Sequence, residues 1–305
     1  MVLLYIPPVQ NLLRREVTAY ASKATGMQIQ VERIDLRFPL NLLVRGVEVI
    51  QQPDTLLSLE SLNVRVQAWP LLKGKVEVDE VTLSQVAVNS ANLIEGMQIK
   101  GVLGRFFLQS HGVDLSNETA VVNRTELSDT HIQLLMTDTT TTPKDTTASA
   151  PVNWKVNLHQ LKLKNVSFGM KLPADSMKMA AYIGEATIDD AKADLKNQFY
   201  GLKQFLLSGA SASYDTGEAQ PSEGFDASHM AVRNIRIGLD SLLYEGRNMN
   251  AVIREITMEE RSGLSITSLT GRLFSNDSII RIPELKLQTP HSEIDLSAQT
   301  YWELV

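Results

Sequence analysis

Three stretches of this chain repeat one pattern: two apolar residues flanking a single residue, a two-residue spacer, then another such pair. Val76, Val78, Val81, Leu83, Val86 and Val88 write it first, and Val156, Leu158, Leu161, Leu163, Val166 and Phe168 write it again. Phe225, Ala227, Met230, Val232, Ile235 and Ile237 write it a third time. Shorter versions occur at Leu57, Leu59, Leu62 and Val64, and at Ile280, Ile282, Leu285 and Leu287. Alternation of period two marks a strand with one buried face, because successive side chains point to opposite sides of a sheet. The additional spacer residue would turn that face over unless a bulge or bend absorbs it. The pattern therefore predicts bent, one-sided strands, and function turns on what their apolar face covers.

With 305 residues the chain exceeds the usual size of one compact core, which predicts either two domains or one elongated sheet. Its hydrophobic content of 43% is that of a folded protein rather than a disordered one. A net charge of -6, with no segregated run of Lys and Arg, argues against a nucleic-acid surface. The absence of cysteine removes disulfides, thiolate metal sites and Cys nucleophiles, and it fits a bacterial cytosol or periplasm.

Residues 1–6 are apolar and stop at Pro7 and Pro8, far short of the roughly twenty residues that span a bilayer. They read either as a short apolar tail or as the last turn of a membrane helix, and residues 1–8 are assigned as the remnant of an anchor. A helix is predicted over 9–26, with Val9, Leu12, Leu13, Val17, Tyr20, Ala21 and Ala24 at helical spacing and Gly26 as its C-terminal cap. Its stripe is expected to pack on the following sheet, with a place along a membrane surface as the lesser alternative. From Met27 onward the chain reads as strand. Turns or bulges are predicted at Gly46, at Pro53 with Asp54, at Lys73 with Gly74, and at Gly101 with Gly104. A turn at Asp189 and Asp190 is expected to divide 184–195 into two strands. The Thr-rich run 137–151 and the Gly- and Ser-rich run 211–224 read as breaks. The expected organisation is a first sheet segment over 27–136, the insertion, and a second segment over 152–305. A five-residue β-helix repeat would need its spacing sustained over more coils than the three present.

No constellation for catalysis stands out. The histidines at 111, 131, 159, 229 and 291 are scattered and read as solvated or strand-face residues. Glu259 with Glu260, and Asp189 with Asp190, are neighbours on strands, so their carboxylates are expected to diverge. There is no phosphate-loop order around the glycines and no Gly-x-Ser-x-Gly elbow. No cofactor and no metal are expected, and the chain does not read as an enzyme.

The runs Tyr5-Ile6-Pro7-Pro8-Val9-Gln10, Ala21-Ser22-Lys23-Ala24-Thr25-Gly26-Met27, Val31-Glu32-Arg33-Ile34 and Phe38-Pro39-Leu40 resemble the start of the TamB family of Bacteroidota, which belongs with the AsmA-like proteins. Asp54-Thr55-Leu56-Leu57, Leu71-Leu72-Lys73-Gly74-Lys75-Val76, Glu260-Arg261-Ser262-Gly263-Leu264 and Thr289-Pro290-His291-Ser292 extend the likeness over nearly the whole chain. What the resemblance implies is an inner-membrane anchor, a periplasmic body and a long curved sheet with an apolar groove. It also implies a part in outer-membrane biogenesis, as a phospholipid bridge or as the partner of an Omp85-type outer-membrane protein. Most of the anchor and the family's C-terminal domain, which would face that partner, have no counterpart in this sequence. The Asp-Thr-Thr steps at Asp138 and Asp145 resemble an O-glycosylation signal of the same bacterial group, and read otherwise as a plain loop.

The expected fold is mainly β: an elongated, curved antiparallel sheet with one short N-terminal helix. Its aliphatic face suits acyl chains, each buried methylene contributing about 0.8 kcal/mol. Val78, Leu83, Val86, Leu161, Leu163, Val166, Ile235 and Ile237 are the candidate groove lining. Two other readings stay open: a periplasmic assembly factor or conduit for outer-membrane or secreted proteins acting by strand addition, and a self-filled β-sandwich or solenoid scaffold.

Overall fold

The computed structural model describes residues 7–67, 69, 77–91, 93–114, 117–137, 153–217 and 220–301. Helix α1 (Pro7–Thr25) is followed by strands β1 (Gln28–Arg37), β2 (Asn41–Gln51), β3 (Asp54–Val66), β4 (Val78–Asn89), β5 (Met97–Asp114), β6 (Thr119–Met136), β7 (Lys155–Leu172) and β8 (Met177–Asp194). The remaining strands are β9 (Phe199–Leu202), β10 (Gln204–Asp215), β11 (His229–Glu245), β12 (Asn248–Glu260), β13 (Ser265–Ser275), β14 (Ile279–Gln288) and β15 (Glu293–Tyr301). All fifteen strands form one curved sheet in chain order, a mainly β fold of the kind the alternation predicts. Strands β9 and β10 are two pieces of one lane between β8 and β11, interrupted at Lys203.

Every neighbouring pair is antiparallel except β6 and β7, which run parallel with Thr119 opposite Lys155 and Leu135 opposite Lys171. A parallel pair cannot be closed by a tight turn and needs a connection of a dozen or more residues. Residues 137–154 provide that length at the only place in the sheet where it is required.

The two-residue spacer belongs to the whole sheet rather than to single strands. Ser84 pairs with Ser61 and with Arg105, and Val86 pairs with Leu59 and with Leu103, so both neighbours of β4 take the same step at the same level. The same holds where Lys164 and Val166 meet Glu185 and Ile183. A bulge sets two residues against one and shifts the register; here the register is kept and the sheet is creased. The crease runs through Gly46, Gln85, Asp129, Asn165, Gly209 and Asn234, all at positive φ and each directly before an apolar-face residue. Gln85, Asn165 and Asn234 are the second spacer residues of the three repeats. True register shifts lie away from this crease between β2 and β3, β3 and β4, and β5 and β6, and become frequent between β10 and β11 and across β11 to β15.

Several local expectations change with this. Asp189 and Asp190 lie inside the unbroken β8, where Asp190 takes the left-handed conformation without ending the strand. Gly101 and Gly104 are interior to β5. Gly104 stands at the crease, where an added Cβ would lie 2.7 Å from the Asp129 Cβ and 2.9 Å from its carbonyl oxygen. The second break starts after Asp215, since 211–215 finish β10. Phe225 and Ala227, the first pair of the third repeat, precede β11, and Phe225 is exposed. Val76, the turn at Lys73 with Gly74, residues 1–6, and Asp138 and Asp145 lie outside the described residues, as does most of the Thr-rich run.

Helix α1 packs on β1, and its described hydrogen bonds to that strand reach backbone groups. Gln10 Nε2 donates to the Leu36 carbonyl (2.9 Å), Arg14 Nη1 to the Glu32 carbonyl (2.5 Å), and the Ile29 N–H donates to Ser22 Oγ (3.1 Å). Leu12 and Tyr20, expected in the buried stripe, are exposed. The helix therefore occupies hydrogen-bonding groups that an edge strand leaves open. Gly26 ends it at positive φ, its N–H bonded to the Ser22 carbonyl. Among the described residues no helix is long and apolar enough to cross a membrane.

The crease makes a direct prediction. Gly104→Ala forces a Cβ into the β6 backbone and should lower stability by about 1–3 kcal/mol. Gly169→Ala in β7 meets only ordinary contacts at 3.9 Å and beyond, and should stay within about 0.5 kcal/mol of the parent. Urea unfolding of the two variants checks the difference.

Candidate functional site

The register aligns the apolar pairs of successive strands into continuous rows. One row runs Ile34, Val44, Leu62, Leu83, Phe106, Leu127, Leu163 across β1 to β7. It continues Ala186, Leu207, Ile237, Ile256, Leu269, Leu287, Ile294 to β15, apolar at every lane. At about 4.8 Å per strand it extends for roughly 60 Å. Across the crease a second row passes through Val31, Val47, Leu59, Val86, Leu103, Thr130, Val166 and Ile235.

The sheet bends toward this face. Residues flanking the crease on the apolar side include the most buried of the rows, with Leu59 at 9%, Thr130 at 3%, Ala186 at 4% and Ala210 at 4% exposure. The crease residues Gln85, Asp129, Asn165, Gly209 and Asn234 are exposed on the outside. Asn165 there donates from Nδ2 to Asp129 Oδ1 (3.0 Å) and accepts from the Tyr182 hydroxyl (2.9 Å).

Nothing lies over the rows among the described residues. The principal approaches are between hydrogen-bonded neighbours in the sheet and between α1 and β1. Among the described residues no large side chain is withdrawn from solvent completely. In the long row only Ala186 is buried; Ile294 is exposed and the other members are half-buried, flanked by their neighbours but uncapped. This is the geometry of an open trough wall, not of a sandwich interior.

All eight residues predicted for the groove are half-buried. Leu83, Leu163 and Ile237 share the long row, Val86, Val166 and Ile235 the row across the crease, and Leu161 the next row outward beside Ile188. Val78 stands apart at the start of β4, opposite Val66 and beyond a register shift.

A concavity of about 1050 Å³ opens where β6 and β7 end and β8 begins, and none of those eight residues lines it. Its lining takes in Lys100, His131, Ser167, Lys171, Lys178, Tyr182, Ser213 and Arg233, which stand in the alternation opposite to the apolar rows. The repeats draw attention to the apolar phase alone, and this polar phase converges only once the register is known.

The histidines divide. His131 bonds Ser167 Oγ and Gln133 on the outer face, and His159 pairs with the Asp190 carboxylate (3.1 Å), both exposed. His229, expected to be solvated, is buried at 6% exposure with Nδ1 3.1 Å from Asp226 Oδ2. The acidic neighbours do diverge: Glu259 accepts from Arg233 and Asn234, whereas Glu260 accepts from the Ser262 and Ala231 N–H groups. No family model matches the sequence, and no curated protein matches it.

Asp226 gathers the loop before β11. The Ser222 N–H, the Ser228 N–H, His229 and the Ser222 hydroxyl all bond its carboxylate, with the Ser222 N–H strongest in holding it well below the usual carboxylate range. A carboxyl depressed on folding stabilises fully above its unfolded pKa, and that contribution is lost as pH falls through the folded value. Asp226→Asn should therefore lower the thermal midpoint at pH 7, and its deficit should shrink as pH drops below about 4. Melting curves of both proteins between pH 3 and 7 check this.

Proposed function

We propose that the creased sheet is a lipid-bearing trough, its apolar rows holding phospholipid acyl chains in an inner-membrane-anchored periplasmic protein of outer-membrane biogenesis. The observation that carries this reading is the long apolar row with no cover among the described residues. Aliphatic surface left open along some 60 Å is costly to expose to water, and an acyl chain lying across the strands would relieve that cost at about 0.8 kcal/mol per methylene. The resemblance to the TamB and AsmA-like proteins supports the compartment, the membrane anchor and an Omp85-type partner.

One observation favours a second reading, a conduit for outer-membrane polypeptides. All nine residues of the edge strand β15 are exposed, including Ile294 and Leu296, so this edge offers a template for strand addition.

Lipid extraction and native mass spectrometry of the purified chain should find co-purifying phospholipid. Leu163→Asp with Ile237→Asp should remove it while leaving the unfolding free energy within about 2 kcal/mol of the parent, because an uncapped wall lets the carboxylates reach water. A loss beyond about 3 kcal/mol, with no lipid on the parent protein, would mean a filled interior instead.

A further inference from the structure

We infer that the concavity on the outer face of β5 to β12 is a binding site for an organic phosphate. It is distinct from the rows proposed to hold acyl chains: the charged side chains that line it come from the opposite alternation of the same strands, and the apolar-phase residues that border it, such as Phe168, Met179 and Val232, lie outside the long row. The register gives it a floor of small residues: Gly169, Ala180, Ser213 and Ala231 are successive cross-strand partners. One wall carries Ser167 and Tyr182, themselves paired, and the other carries Lys171 and Lys178. Low residues between taller ones leave the volume of about 1050 Å³, which is room for a sizeable organic ligand rather than a bare ion.

The charge of the lining points to the ligand. The chain as a whole is acidic, at -6, yet this concavity collects Lys100, Lys171, Lys178, Arg233 and Arg261 against Asp215 and Glu260. Arg233 is engaged by Glu259, and Glu260 by backbone N–H groups. Lys171 and Lys178 are directly opposite each other on β7 and β8, a like-charge arrangement that costs free energy in an empty sheet. Neither makes an ion pair among the described residues. A phosphate between the two ammonium groups would convert that repulsion into two charge-assisted hydrogen bonds. The neutral body of the ligand would rest on the small-residue floor beside Tyr182.

The test uses the 305-residue chain and four probes: dihexanoyl phosphatidylglycerol below its micelle concentration, glycerol 3-phosphate, inorganic phosphate, and dihexanoyl phosphatidylcholine. NMR titration should show both organic anions binding at least tenfold more tightly than inorganic phosphate or the zwitterionic lipid. The tighter of the two organic anions identifies the source as membrane lipid or soluble metabolite, and either result upholds the site. Lys171→Gln with Lys178→Gln should weaken binding at least tenfold while leaving the thermal midpoint unchanged or higher, since a repulsion is removed. Gly169→Leu should block the organic anions without altering any charge. The charge-matched pair Lys164→Gln with Lys192→Gln should bind as the parent does. No binding, inorganic phosphate bound as tightly as the organic anions, no effect of the Lys171 and Lys178 changes, or equal loss in the control pair would each overturn the inference. Phospholipid lost on Leu163→Asp with Ile237→Asp reports on the trough alone, so the two proposals fail independently.

Discussion

The shared two-residue step is the constraint on which the rest of the structure depends. If one strand took the step and its neighbour did not, every residue beyond it would face the wrong side of the sheet. From β1 to β8 the strands take it together, so the apolar side chains stay on one face while the sheet folds toward them. The backbone conditions are narrow: a left-handed residue in β2, β4, β6, β7, β10 and β11, and little side-chain bulk where adjacent strands close up, as at Gly104 and Gly184. Asn and Asp tolerate the left-handed conformation better than most residues, and three of the six positions carry them. Their outward side chains then bond one another, as Asn165 does with Asp129.

The repeats made much of this legible. The run from Val156 to Phe168 lies entirely in β7, its second spacer ending on the left-handed Asn165 where a bend is required. What single-strand reading could not supply is agreement between strands. A lone spacer looks like a bulge; only pairing Ser84 with both Ser61 and Arg105 shows a crease. The same limit explains the turn expected at Asp189 and Asp190, since Asp pairs mark turns by propensity, whereas here Asp189 and Ala191 both stay in the ladder and the left-handed Asp190 between them is tied to His159 and Lys203. The burial of His229 was not legible because Asp226, its partner, stands between Phe225 and Ala227, which alternate like a strand pair but form the loop before β11. The parallel β6 and β7 pair was hidden for a similar reason: strands of either direction alternate identically.

The two edges of the sheet are treated differently. At β1, polar side chains of α1 bond backbone groups that a further strand would otherwise use, which closes that edge to extension. At β15 no such cover exists among the described residues, and the apolar rows run out onto Ile294 and Leu296 at the surface. Among the described residues, then, α1 occupies part of the β1 edge, whereas β15 is exposed along its length.

A sheet with no second layer among the described residues also distributes stability in an unusual way. Each strand is held by the hydrogen-bond ladders and side-chain pairs of its two neighbours, so stability approaches a sum of local terms, as in repeat proteins. In a sandwich, a charge placed on the inner face would disturb the opposite sheet as well and threaten the whole fold. Here the consequence of such a change is confined to adjacent lanes, and the solvated face beyond it offers the charge a path to water. Tolerance of polar substitution along the apolar rows is thus a physical signature of the open trough. It follows from the absence of a covering layer among the described residues.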